Sequence, residues 1–212
     1  MALAEASYCW IGAVALEWPT DVAQASTGAP VEGEDGLLRA LMTRYQGGEM
    51  EAFEELYRRT LPTLRGYLLA LTRDVVRTAD LAQEAYMQIH RSRHTYDPRL
   101  PVRPWILAIA RHVRLTDERR RWRRRSREVV GLESAPEVPV PPEVEGLADR
   151  EELSRALAVL PADRREALVL HHVFGLSFRE IGNVAGVSEG GARIRASRGM
   201  TELRAILAPR RI

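Results

Sequence analysis

The residues best placed to do chemistry lie between Leu176 and Arg204, in LSFREIGNVAGVSEGGARIRASRGMTELR. Ser177 and Glu180 form a Ser-x-x-Glu capping box, which predicts a helix starting at this point. Phe178, Ile181, Val184 and Ala185 give that helix an apolar face. Gly186 and Val187 predict a tight turn, and Ser188 can cap a second helix. Two short helices joined through a glycine are the layout of a helix-turn-helix, whose second helix enters a DNA major groove. At ~100° per residue, Ala192, Ala196, Gly199, Leu203 and Ile206 fall on one side of the second helix. Ile194, Ser197, Arg198 and Thr201 fall on the other, with Arg193 and Arg195 on the shoulders. The chemistry is recognition, with no bond made or broken. Arginine bonds guanine edges or phosphates, and an exposed isoleucine contacts thymine methyl groups. A helical hairpin with a solvated basic face would carry the same charges. The capping box and glycine turn together favour DNA reading.

A second set of groups lies in ADLAQEAYMQIHR, Ala79 to Arg91. Leu81, Ala82, Ala85 and Ile89 share one helical face, while Asp80, Gln83, Glu84, Met87 and Arg91 cluster on another. Carboxylates repel phosphates, so a polar patch containing a methionine suits a protein partner better than DNA. An ordinary solvated face remains an equal alternative on these residues alone.

The third set is ERRRWRRRSR, with seven arginines in the nine residues from Arg119 to Arg127. Arg111, Arg114, Arg121 and Arg125 form a stripe opposite Trp105, Ala108 and Ile109, interrupted by Glu118. The run itself occupies nearly every azimuth, as expected of a helix end that projects beyond its core. Arginines so placed grip phosphates, which makes binding salt-sensitive and carries little sequence information.

Enzyme chemistry is not expected. No glycine-rich phosphate loop, nucleophile elbow or acid–base cluster is present, so neither a cofactor nor a catalytic residue is anticipated. His90 and His94 have metal-pair spacing without an evident third ligand. Cys9 is the single cysteine, which excludes an intrachain disulfide and suits a reducing cytoplasm. The apolar stretch YCWIGAVAL lacks a basic flank and is too short to span a bilayer, so no membrane insertion is expected.

The elements that must position these groups all read as helices. Leu37, Leu38, Leu41 and Met42, then Phe53, Leu56 and Tyr57, then Leu64, Tyr67, Leu68 and Leu71 recur at helical spacing. Pro62 is expected near a helix start. A helix is predicted over Thr78 to Ser92, a turn at TYDPRLPVRP, and a long helix from Pro104. Four further helices are predicted in EELSRALAVL, ADRREALVLHHVFG, SFREIGNVAG and SEGGARIRASRGMTELRAIL. The chain should therefore be all-α, with two small helical domains over residues 35–127 and 148–212. Residues 128–147 carry most of a Pro/Glu-rich linker, and residues 1–34 form an acidic, poorly ordered extension.

The formal charge of +2 conceals this block structure: residues 1–34 carry five acids and no arginine. The basic charge sits in two separated tracts, which suggests two contacts with a polyanion. The acidic extension is expected to weaken nonspecific DNA binding.

The order of these segments resembles the extracytoplasmic-function (ECF) sigma factors of bacterial RNA polymerase. The matching pieces are GLLRALMTRYQGGEMEAFEELYRR, DLAQEAYMQIHR, YDPRLPVRPWILAIARHVRLTDERRRWRRR and the helix-turn-helix. The resemblance implies that Asp80, Leu81, Gln83, Glu84, Met87 and Arg91 dock the core polymerase. It places the turn from Tyr96 to Arg103, with Asp97 and Arg99, where the family captures an unstacked base of the minus-ten element. The helix bearing Arg111, Arg114, Arg121 and Arg125 would lie along minus-ten DNA. Arg179, Arg193, Ile194, Arg195, Ser197, Arg198 and Thr201 would read the minus-thirty-five element.

Base capture needs a stacking surface: Tyr96 is a candidate, whereas the apolar face around Trp105 favours its burial. The family's usual Thr-Val-Lys or Thr-Val-Arg is replaced by Gly191-Ala192-Arg193. The resemblance also implies an anti-sigma partner, often membrane-tethered. The competing function is a stand-alone helix-turn-helix regulator that never docks polymerase.

Overall fold

The computed structural model describes residues 32–127 and 147–208, and every regular element among them is helical. In chain order these are α1 (Glu32–Gln46), α2 (Met50–Thr72), α3 (Val75–Ser92), α4 (Val102–Arg127), α5 (Leu147–Val159), α6 (Ala162–Leu168), α7 (Phe178–Ala185) and α8 (Glu189–Leu207). A 3-10 turn, Arg93–Thr95, follows α3, and a π-turn, Val169–Val173, extends α6. The acidic extension and the linker fall outside the described residues, except at their ends. There α1 starts at Glu32 and α5 at Leu147, so the first helix takes in residues assigned above to the extension. Glu34 belongs to the fold, since its carboxylate pairs with Arg103 at 2.6 Å.

The first four helices pack around Leu38, Met42, Leu56, Leu64, Leu68, Ile89, Val102 and Leu107, all fully or almost fully buried. Two expected boundaries move. Pro62 lies inside α2, not at its start, and the two predicted apolar stretches are one helix of 23 residues. Proline removes one backbone donor, and packing of Leu56, Leu64 and Leu68 on either side offsets that loss. α3 begins at Val75, three residues before Thr78, because Asp74 caps it by accepting the Arg77 backbone N–H at 2.9 Å.

In the second group of helices, the capping box is formed from both ends. The Ser177 hydroxyl accepts the Glu180 N–H, and the Glu180 carboxylate accepts the Ser177 N–H at 2.8 Å. Gly186 closes α7 at φ 68°, a left-handed conformation in which a side chain is strained. Ser188 then caps α8 by accepting the Gly191 N–H at 3.1 Å. At Gly199 a β-carbon would stand 3.0 Å from Leu168 Cδ1 and 3.1 Å from the Arg164 carbonyl oxygen, so glycine permits the close crossing of α6 and α8.

The two groups of helices share one continuous apolar core. Ala167, Leu170, Leu176, Ile181 and Val184 of the second group pack with the first. α7 lies against α4, and α6 with its π-turn lies against α2. Phe174 meets Tyr67 edge-on, with ring centroids 6.5 Å apart.

Candidate nucleic-acid and partner interface

On α3 the two faces separate as the spacing predicts. Ala82, Ala85 and Ile89 are buried, and Asp80, Gln83, Glu84, Met87 and Arg91 are exposed. Leu81 must be corrected: at 5% exposure it belongs to the core and cannot touch a partner. Its spacing places it on the apolar face with Ala82, Ala85 and Ile89, and the structure keeps it there; only the docking role implied by the resemblance falls. Beside the exposed face runs an apolar groove of about 580 Å³, bordered by Phe53, Tyr57, Leu61, Gln83, Tyr86 and Met87. His90 is engaged, its Nδ1 lying 2.6 Å from the Tyr45 hydroxyl.

The turn before α4 is a packed loop. Tyr96 is 3% exposed, donates its hydroxyl to the Leu100 carbonyl oxygen and sits edge-on against Trp105, with centroids 5.3 Å apart. Burial pushes its phenol pKa up, beyond the ordinary range. The stacking role expected of Tyr96 is therefore corrected: its ring has no face free for a base and serves as the anchor of the loop. Gln46 clamps the same loop from α1, donating to the carbonyl oxygens of Arg93 at 2.8 Å and Tyr96 at 2.9 Å. Trp105 is buried, as its neighbours predict.

What the loop does present is the Asp97–Arg99 pair. The Arg99 guanidinium, helped by the Arg99 backbone N–H, holds the Asp97 carboxyl below its usual range. Arg103 is occupied by Glu34.

α4 divides in two. From Arg119 to Arg127 every residue is exposed, Arg121 and Arg125 included, and Trp122 stands 69% in solvent. The inner half of the arginine stripe does not reach solvent in the same way. Arg114 is 4% exposed, so its assignment to a DNA-facing surface does not hold in this arrangement. Its Nη2 lies 3.2 Å from Glu166 Oε1 on α6 and its Nη1 2.7 Å from Glu118. Arg111 is drawn to the same carboxylate, Nε to Oε2 at 3.1 Å. The Tyr67 hydroxyl donates to Glu166 Oε1 at 2.5 Å. Burial, reinforced by Glu166, pushes the Tyr67 pKa well up, so the phenol remains a donor. Burial works against the charged form of Arg114, and Tyr67, Glu166 and Glu118 outweigh it, leaving its pKa raised.

On α8 the expected outer face is open. Arg193, Ile194, Ser197, Arg198 and Thr201 are exposed, while Ala192, Ala196, Gly199 and Leu203 are buried. Ile206 departs from the expected inner face at 41% exposure, and Leu207 packs beside Leu203 in its place. Arg195 is half-buried, 3.5 Å from Asp163, and Arg179 is partly buried on α7.

Sequence reasoning missed how Arg193 is steered. The His171 and Phe178 rings stack with centroids 4.3 Å apart, and the Arg193 guanidinium lies 5.3 Å from the centroid of Phe178. Glu189, one turn earlier, pairs with it at 3.1 Å. Apolar periodicity assigned Phe178 to the core, and nothing in the pattern signals that its ring also carries a guanidinium.

Residues 56–126 match the sigma-70 region 2 family and residues 150–203 the sigma-70 region 4 family. The RNA polymerase sigma factor CarQ of Myxococcus xanthus is 36% identical over 166 residues, covering 78% of this chain and 95% of that protein. The ECF RNA polymerase sigma factor SigF of Caulobacter vibrioides is 34% identical over 173 residues, covering 78% and 91% respectively. The sigma factor RpoE of Bartonella quintana, solved in complex with the anti-sigma factor NepR, superposes with a TM-score of 0.66 at 26% identity. That match covers 75% of this chain and 98% of the solved one. A stand-alone regulator would account for the helix-turn-helix but not for a region 2 ahead of it. Both sigma modules in order, carried over nearly the full length of such relatives, make this chain a member of the ECF sigma factors, the initiation factors that bind RNA polymerase and direct it to promoters.

Proposed function

We propose that the exposed face of α3 docks core polymerase, that α4 and the loop before it hold minus-ten DNA during opening, and that α8 reads the minus-thirty-five element. The chain supplies recognition and catalyses no reaction of its own. The observation that carries the reading is α8: its small residues pack inward while Arg193, Ile194, Ser197, Arg198 and Thr201 form a continuous outer surface. The α3 face supports a protein contact, because Asp80 and Glu84 would repel phosphate and Met87 borders an apolar groove. The outer end of α4 supports phosphate contact through Arg121 and Arg125. Opening unstacks bases at a cost of a few kcal/mol per step, which contacts to the extruded strand offset.

Work beside polymerase supports a cytoplasmic location. No helix among the described residues is long and apolar enough to cross a membrane. Similarity to a sigma factor solved with its anti-sigma factor supports a regulatory partner of that class, soluble or membrane-tethered.

The test is transcription in vitro with bacterial core polymerase and genomic fragments from the same source. Addition of the protein should select a defined set of start sites. Arg198→Ala should lower initiation from them by roughly 5- to 150-fold, the worth of one base-edge contact. Absence of any selected start site would remove the reading, and an unaltered Arg198→Ala profile would remove α8 as the reader.

A further inference from the structure

Arg193 is held from two sides. Its guanidinium lies 5.3 Å from the centroid of the Phe178 ring, and its Nη2 donates to the Glu189 carboxylate at 3.1 Å. Among the described residues, no other arginine of α8 lies over an aromatic ring. The ring beneath it is itself fixed. His171 stacks on Phe178 with centroids 4.3 Å apart and planes 27° from parallel. The His171 Nδ1 lies 2.9 Å from the Leu176 carbonyl oxygen, which can only accept, so the imidazole carries its proton there and is pinned by that bond. Leu176 is buried and Phe178 packs against the same core, which anchors the stack to the body of the fold.

We infer that Phe178, backed by His171 and assisted by Glu189, is a positioning residue that presents the Arg193 guanidinium to a guanine edge in the minus-thirty-five element and turns it away from the phosphates. The inference rests on the assignment of α8 to that element made above. It adds which base one of the arginines reads and what aims the side chain.

The first argument is conformational. An unrestrained arginine loses much rotamer freedom when it contacts a base, and a side chain already laid on a ring loses less. The second is the sign of the charge. Glu189 opens α8, where the helix dipole favours an acid. A phosphate brought to Arg193 would meet that carboxylate as a like charge, whereas the oxygen and ring nitrogen of guanine are neutral acceptors. Glu189 engages one donor, and the rest of the guanidinium fork remains for the paired bonds that guanine accepts. The third is position. The ring and the guanidinium border a hollow of about 260 Å³ together with Ser197 and Thr201, both on the exposed face of α8. The aimed group therefore lies with the surface assigned to reading.

The test uses core polymerase loaded with the full chain, on a promoter from a selected start site whose minus-thirty-five element is randomised. Sequencing the bound fraction gives the base preference at each position, and filter binding over a salt series gives the phosphate contribution. Wild type should prefer guanine at one position, and Arg193→Ala should remove that preference alone, by roughly 5- to 150-fold. Deazaguanine, with carbon in place of the ring nitrogen, should weaken wild-type binding roughly fivefold or more at that position and leave Arg193→Ala indifferent. Phe178→Leu keeps an apolar side chain without a π face. It should weaken the same preference by roughly two- to fivefold, and Phe178→Tyr should keep it. Glu189→Gln should lower the preference and steepen the log–log salt slope by about 0.9, as Arg193 turns to a phosphate.

A uniform loss of affinity in Phe178→Leu with every base preference intact overturns the inference, because the ring then acts through packing alone. An Arg193→Ala profile with a flatter salt slope and all preferences kept overturns it as well, since Arg193 is then a phosphate contact. Glu189 is exposed, so an unchanged preference and slope in Glu189→Gln overturns the steering even if Phe178→Leu does not fold. Absence of any base preference in wild type at the minus-thirty-five element removes the assignment of α8 itself, and the aiming of Arg193 falls with it.

Discussion

Asp80 and Leu81 are adjacent on α3, and the structure requires substitutions at the two to fail in different ways. Leu81 is 5% exposed within the core, so Leu81→Ala removes three buried carbons and leaves a cavity bounded by packed helices. Such truncations cost about 2–5 kcal/mol, a large fraction of a small domain's stability. Asp80 is exposed, and reversing the charge of an exposed helical residue changes stability by no more than about 0.5 kcal/mol. At a docked interface, however, Asp80→Arg replaces an acid with a like charge facing whatever cation the acid met. A like-charge juxtaposition of that kind costs about 2–3 kcal/mol, roughly 30- to 150-fold in Kd.

Equilibrium urea unfolding followed by circular dichroism reads the stability effect. Titration of the fluorescently labelled protein with core polymerase reads the binding effect. Leu81→Ala should lower the unfolding midpoint while the folded fraction still binds core. Asp80→Arg should keep the wild-type midpoint and lose core affinity. Wild-type core affinity in Asp80→Arg would refute docking through this face, and an unaltered midpoint in Leu81→Ala would refute the packing of α3.

Two other perturbations test the positioning of DNA-facing groups. Gly186→Ala and Gly190→Ala are the same change four residues apart, and neither new methyl group meets an atom within 4 Å. The first forces alanine to φ 68° and should destabilise the second group of helices by about 1–2 kcal/mol. The second replaces a helical, exposed glycine and should stabilise by about 0.5–1 kcal/mol; urea midpoints moving in the same direction would contradict the turn geometry. Replacing both Arg121 and Arg125 by alanine removes two exposed cations and should flatten the salt dependence of promoter binding by the polymerase complex by about 1.8 in log–log slope. An unchanged slope, measured by filter binding over a salt series, would detach the outer end of α4 from the phosphate backbone.

The parts legible in the sequence are those whose physics is local. Ser177, Glu180, Gly186 and Ser188 specify a cap, a left-handed stop and a second cap within twelve residues, and the structure realises each of them. The inner face of α8 was legible for the same reason, since helical periodicity alone sorts Ala192, Ala196, Gly199 and Leu203 from Arg193 and Arg198. Tyr96 was misjudged because a proline-rich turn reads as exposed. Its burial comes from Trp105 and from Gln46, which is 50 residues away in the sequence. Local pattern cannot report a clamp supplied by another helix.

The same limit explains the stripe on α4. Azimuth places Arg111 and Arg114 correctly on one side of the helix, opposite Trp105 and Ile109, and their charge makes solvent or phosphate the default neighbour. Glu166 lies 52 residues beyond Arg114 and 99 beyond Tyr67, in ADRREAL, where the local pattern predicts a helix and nothing singles it out. Its role emerges only when α6 is folded onto α2 and α4, which brings a buried acid to two arginines and a phenol. The exposed half of the stripe obeys the sequence because none of the described residues packs on it. The buried half departs because the second group of helices offers an anion of its own. A DNA-binding surface is thus readable from sequence as chemistry, while its availability is a property of tertiary packing, and on α4 the two diverge between Arg114 and Arg121.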